Sequence, residues 1–121
     1  MNAGPLQYGI AVGLDLPDQR FEEVADDLRI KRDRLRDGLT AAGLTVFPAA
    51  GAYFLTVDIR SIGETDGVAF CRSLPERCGV VAVPNAVFYD DVEAGSAFVR
   101  FACCKGLDVI DEAAGRLGKL A

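Results

Sequence analysis

The sequence predicts an α+β domain in which helices cover one face of a small antiparallel or mixed sheet, in the order α-β-β-α-β-β-α. Two observations carry the helices and one carries the strands. Apolar residues recur at three- and four-residue steps in a long segment near the N-terminus and again in a shorter one at the C-terminus. Between them, β-branched and aromatic residues cluster in short runs bounded by glycine and proline. With 121 residues, half of them apolar, the chain can build one compact core, and residues 1–121 are expected to form a single domain.

Residues 1–16 hold three glycines and a proline with no clear period, so they are expected to be an irregular lead-in, with Pro17 opening the first helix. Phe21, Val24, Leu28, Leu35, Leu39 and Ala42 line one face of that helix. Its acids (Glu22, Glu23, Asp26, Asp27) come first and most of its bases (Arg29, Lys31, Arg32, Arg34, Arg36) later, the order the helix dipole favours. The charges therefore read as a solvated face, and Gly43 suits the C-terminal cap. Residues 45–47 and 52–59 read as a hairpin around the turn Pro48-Ala49-Ala50-Gly51. Asp66 caps a helix running to about Arg77, which Pro75 should bend or end. Gly79 releases the chain into a strand over 80–83 that Pro84 closes. A loop with Asp90, Asp91 and Glu93 leads to a strand over 97–104. Asp108 then starts a last helix containing Val109, Ile110, Ala113, Leu117 and Leu120, with Asp111 as a capping-box partner.

The composition excludes several classes of function. A formal net charge of -5, with the 13 basic residues interleaved among acids, argues against a phosphate-backbone binder. No apolar run is long enough to span a bilayer and no signal-peptide pattern opens the chain, so a soluble cytoplasmic protein without a membrane partner is expected. The four cysteines, Cys71, Cys78, Cys103 and Cys104, match no zinc spacing and have no histidine to complete a mixed site. Cys103 and Cys104 should point to opposite faces of their strand, so no metal is expected and the thiols read as free and buried. The absence of histidine removes Ser-His-Asp and Cys-His nucleophiles and any histidine proton shuttle.

Three segments are more specific than this. Pro48-Ala49-Ala50-Gly51-Ala52-Tyr53-Phe54, then Val80-Val81-Ala82-Val83-Pro84-Asn85-Ala86-Val87-Phe88-Tyr89, then Val99-Arg100-Phe101-Ala102 resemble, in order and spacing, the C-terminal small domain of pyridoxal-phosphate aminotransferases of class I/II. The nearest subgroup is the kynurenine and methionine aminotransferase-like enzymes, and the likeness runs through essentially the whole chain. The resemblance implies that Arg100 binds the substrate α-carboxylate, a task suited to a planar guanidinium that offers two parallel charged hydrogen bonds. It places Gly51 and Tyr53 on the substrate side of the domain cleft and Phe88 near the substrate side chain. Ala86 departs from the small hydroxyl residue usual at its position, and Tyr8-Gly9 stand where a proline often follows Gln7.

The resemblance further implies ping-pong transfer of an amino group from an amino acid to a 2-oxo acid, with aromatic, kynurenine-like or methionine-like donors ahead of succinyl-diaminopimelate. The family cofactor is pyridoxal 5'-phosphate, held covalently by a lysine. Lys31, Lys105 and Lys119 are the only lysines, and none lies in a segment like the family's lysine segment. The chain alone is therefore expected to hold no cofactor, to contain no catalytic residue and to be inactive. Its large cofactor-binding domain, or a separately encoded equivalent, is the expected partner, within the family dimer. The alternative from another class is a non-catalytic amino-acid-binding or regulatory module, or a vestigial domain, in which Arg100 is at most a carboxylate anchor.

Overall fold

The computed structural model describes residues 4–120. Its elements are α1 (Gly4–Leu14), α2 (Asp18–Ala41), β1 (Thr45–Val46), β2 (Phe54–Asp58), α3 (Gly67–Cys78), β3 (Val83–Pro84), β4 (Phe98–Ala102) and α4 (Leu107–Leu117). Short 3-10 turns occupy Ile59–Ile62, Asn85–Phe88, Glu93–Gly95 and Gly118–Leu120. The strands form one sheet in the order β1-β2-β4-β3 with every pair antiparallel, which settles the antiparallel or mixed sheet expected from sequence as antiparallel.

Strand alternation divides this sheet into two chemically different faces. Leu55 and Val57 of β2 and Val99 and Phe101 of β4 are buried on one face. That face packs on Leu35 and Leu39 of α2, Phe70 and Leu74 of α3, and Ile110 and Leu117 of α4. The opposite face carries Phe54, Thr56, Asp58, Phe98 and Arg100, all only partly buried, and no core-forming α-helix among the described residues packs on it. Core helices on one side only is the arrangement the sequence predicts.

Local chemistry explains most boundaries. At the end of α2, Gly43 adopts φ +83, its N–H donates to the Thr40 carbonyl at 3.0 Å, and the Leu44 N–H donates to the Leu39 carbonyl at 3.1 Å. This is a Schellman cap, and Leu39 and Leu44 are both buried beneath it. Asp66 caps α3 as expected, accepting from the Val68 and Ala69 N–H groups at 2.9 and 3.0 Å. Pro75 does not end α3. It falls in the last turn, where its missing N–H removes one helical bond, and the chain continues to Cys78 before Gly79 (φ +69) closes it.

Several expectations are corrected. Gly4–Leu14 is a helix rather than part of an irregular lead-in; its apolar residues surround it on all sides, so a search for one apolar face passes over it. Of the predicted α2 stripe, Leu35, Leu39 and Ala42 are buried, whereas Phe21 and Val24 near the start of the helix are exposed. Asp111 is not part of a capping box. Gly106 is the N-cap of α4, without a side-chain bond, and Asp111 instead receives two bonds from Arg34 of α2 at 2.6 and 3.0 Å. The strands expected over 80–83 and 97–104 pair only at Val83–Pro84 and Phe98–Ala102. Cys71, Cys78 and Cys103 are buried free thiols as expected, but Cys104 is exposed on the opposite side of the chain from Cys103.

Candidate functional site

Arg100 sits in the middle of β4, opposite Thr56 of β2 and Val83 of β3, on the sheet face away from the core. Two rings hold its guanidinium. The central carbon lies 3.8 Å from the centroid of Phe88 and 4.4 Å from that of Phe54. Phe54 arrives by register, since it faces Ala102, two residues along β4 on the same side of the sheet. Phe88 arrives by chain direction, because the 3-10 turn after β3 folds back over the face. Stacked aromatic faces attract the cation through the ring quadrupole and restrain the plane of the guanidinium.

The electrostatic setting is equally specific. Eight of the ten arginines reach a carboxylate in an ion pair; among the described residues only Arg72 and Arg100 do not. Arg72 is in open solvent, whereas Arg100 is partly buried and its Nε has no hydrogen-bond partner among the described residues. The carboxylate on the same sheet face, Asp58, is committed to Arg60 through contacts of 2.6 to 3.1 Å. Hydrogen bonding from the Arg60 side chain holds the Asp58 carboxyl below the usual carboxylate range. A buried cation without a counter-charge is costly, and a planar carboxylate would relieve it through two parallel hydrogen bonds.

The other residues expected at the site are placed unequally. Phe88 is in direct contact with Arg100. Tyr53 is linked indirectly: its ring is 4.4 Å from that of Phe54, and its carbonyl accepts from the Cys103 N–H at 2.8 Å. Gly51 is exposed and lines a shallow groove against Leu28, Arg29 and Arg32 of α2, without contact to the guanidinium. Arg32 fixes that turn by donating to the Ala49 carbonyl at 3.1 Å. Three features were missed from sequence. Phe54 forms half of the ring sandwich, and its strand parity with Arg100 was the available signal. Ala52 holds φ 60, a left-handed conformation costly for alanine, and its place in the turn beside Gly51 was the clue. Asn85 is buried with its Oδ1 unpartnered, for which sequence offers no signal.

Lys31 is paired with Asp27 at 2.5 Å on α2, Lys119 is exposed in the final turn, and Lys105, on the loop after β4, lines the same cavity of about 460 Å³ as Arg100. No cluster of three or more potential metal-ligating side chains occurs among the described residues. Burial raises the Cys71 thiol to about 11 and also raises Cys103, so neither is a thiolate near neutral pH. No helix among the described residues is long and apolar enough to cross a membrane.

Comparison with known proteins supplies what this geometry does not. The family profile described as aminotransferase class I and II matches residues 3–117. The chain belongs to the class I and II aminotransferases. It is 40% identical over 130 residues to the probable N-succinyldiaminopimelate aminotransferase DapC of Mycobacterium tuberculosis, a match covering 100% of this chain and 32% of that protein. It is 36% identical over 87 residues to the methionine aminotransferase of Escherichia coli, covering 72% of this chain and 22% of that one. The solved structure of N-succinyldiaminopimelate aminotransferase from Mycobacterium tuberculosis superposes with a TM-score of 0.90 at 40% identity, over 100% of this chain and 32% of that one. This aminotransferase chain thus spans about a third of the length of the curated mycobacterial relative it matches.

Proposed function

We propose that this chain is the substrate-anchoring small domain of a pyridoxal-phosphate aminotransferase, acting within a longer polypeptide or with a separately encoded large domain, in a dimer. The observation that supports it best is Arg100: partly buried, held between Phe54 and Phe88, and lacking a carboxylate of its own. In this reading the terminal guanidinium nitrogens take the substrate α-carboxylate in two parallel hydrogen bonds, and the two rings fix the plane in which it is received. Tyr53 lines the approach beside Phe54, and Gly51, with no contact to the guanidinium, belongs to the turn that positions that strand. When bound, pyridoxal phosphate supplies the electron sink for amino-group transfer to a 2-oxo acid; none of the three lysines stands in a segment like the family's lysine segment and this chain matches 32% of the mycobacterial relative, so its binding residues are assigned to the portion outside this chain.

Similarity to the protein named for N-succinyldiaminopimelate is higher, at 40%, than to the methionine enzyme at 36% or to the Dictyostelium discoideum kynurenine-oxoglutarate transaminase at 31%. We therefore assign succinyl-diaminopimelate ahead of methionine and kynurenine as the donor to assay first. The test is a chimera in which this chain replaces the matching third of the mycobacterial enzyme. Losing the bidentate contact in Arg100→Lys should lower kcat/KM for every donor by roughly 10- to 100-fold, while the absorbance of bound cofactor stays the same. Equal kinetics for the two chimeras would sink the assignment of Arg100.

A further inference from the structure

The 3-10 turn over Asn85–Phe88 brings a second side chain to Arg100 besides the ring of Phe88. It follows β3 directly, and β3 is held in register by Val83 opposite Arg100 and Pro84 opposite Val99. A 3-10 turn repeats every three residues, so Asn85 projects from the same side of the turn as Phe88. Phe88 lies on the guanidinium, its centroid 3.8 Å from the central carbon, and Asn85 therefore stands where the turn begins beside Arg100. Asn85 is 8% exposed and is the only buried polar or charged residue among the described ones.

Among the described residues, two buried side-chain nitrogen or oxygen atoms lack a hydrogen-bond partner, Arg100 Nε and Asn85 Oδ1. They are complementary, since the first can only donate and the second only accept. Leaving either unsatisfied is costly. The carboxylate on the same sheet face cannot serve Nε, because Asp58 is committed to Arg60. We propose that Asn85 is a positioning residue for Arg100, its Oδ1 accepting from the Arg100 Nε–H directly or across one water, a reading that rests on the proposed function above. Phe54 and Phe88 hold the plane of the guanidinium but not its direction within that plane. A hydrogen bond at Nε supplies that direction and turns the two terminal nitrogens toward an incoming carboxylate. An amide suits the task better than an acid. Its oxygen accepts from Nε without cancelling the charge that the substrate carboxylate needs.

Exchange of the Arg100 Nε–H with water, followed by proton-nitrogen NMR on the isolated chain, tests the proposal. Asn85→Leu keeps the approximate volume and removes the acceptor, whereas Asn85→Asp keeps an acceptor and adds a charge. Exchange should be slow in the unsubstituted chain, on the order of 10-fold faster in Asn85→Leu, and slow again in Asn85→Asp. In the chimera described above, Asn85→Leu should lower kcat/KM by roughly 10-fold, and Asn85→Asp should raise KM because its carboxylate competes for the guanidinium. A side chain that merely fills space predicts unchanged exchange and kinetics in Asn85→Leu, and that result overturns the proposal. Fast exchange of this N–H in the unsubstituted chain overturns it without any variant. Protection lost in Asn85→Leu, with a chimera whose turnover ignores Arg100→Lys, supports the contact while sinking the carboxylate assignment. Exchange indifferent to Asn85→Leu in an active, Arg100-dependent chimera does the reverse.

Discussion

Gly38→Ala tests how closely the helix layer beneath the candidate site is packed. Gly38 lies in α2 where that helix meets α4, and a Cβ built on it would overlap the Cβ of Ala114 and lie 3.3 Å from its Cα. Both obstacles sit on rigid helices, so no side-chain rotation relieves them. The helices would have to separate, loosening Leu35 and Leu39 against Ile110 and Leu117, all of which are buried. Alanine gains about 1 kcal/mol over glycine in helix propensity, while overpacking of this kind costs ~1–3 kcal/mol. The expected net effect is a loss of up to about 2 kcal/mol, read by urea unfolding with an unchanged m-value. Ala114→Gly alone should cost about 1 kcal/mol, the helix penalty for glycine. In the double variant the obstacle is gone, so the two changes should couple favourably by more than ~1 kcal/mol. A Gly38→Ala that stabilises, or a cycle additive within about 0.5 kcal/mol, would refute the close approach of the helices.

Two further outcomes concern the turn and the ion pairs. Ala52 holds φ 60, so Ala52→Gly should relieve roughly 1–2 kcal/mol of left-handed strain against a glycine entropy cost of up to about 1 kcal/mol, giving a stability unchanged or raised; a loss above ~1 kcal/mol in thermal unfolding would contradict that reading. Asp33, Asp58 and Asp111 each have a carboxyl held below its ordinary value, chiefly by hydrogen bonds from Arg32, Arg60 and Arg34. Because the folded-state values are lowered, the stability they contribute is present above the unfolded value near 3.9 and is lost as pH falls through the folded values. The urea midpoint should therefore hold from pH 7 to about 5 and decline below about 4, by a modest amount since the pairs face solvent, and Asp58→Asn should shallow that decline. A midpoint that rises on acidification would be inconsistent with these pairs.

Features encoded by neighbouring residues were legible in the sequence, and features made by distant ones were not. Asp66 is identifiable as a cap because its partners are the next two or three N–H groups, and Gly43 because one left-handed residue ends α2. Arg100 was legible through the segment around it. The ring sandwich was legible only in part, since Phe54, Phe88 and Arg100 meet through strand register and a returning turn. Asp111 shows the same limit: its spacing from Asp108 suggests a cap, yet its partner Arg34 is 77 residues away in sequence. The first half of α2 misled for another reason. Phe21 and Val24 follow a valid apolar period, but a period does not say whether the surface it faces lies in the same chain.

The five residues of β4 hold the core and the candidate site in one alternating row, with Val99 and Phe101 turned to the helices and Arg100 to the open face. Insertions and deletions therefore act on this strand unlike substitutions. Removing one residue between Ser96 and Arg100 would exchange the two sides, driving a guanidinium toward Leu39 and Leu74 while turning Val99 or Phe101 outward. The reading frame of side chains along β4 is thus under the same constraint as the hydrophobic core, and length changes should be tolerated in the exposed loop around Asp90 and Asp91 but not beyond Ala97.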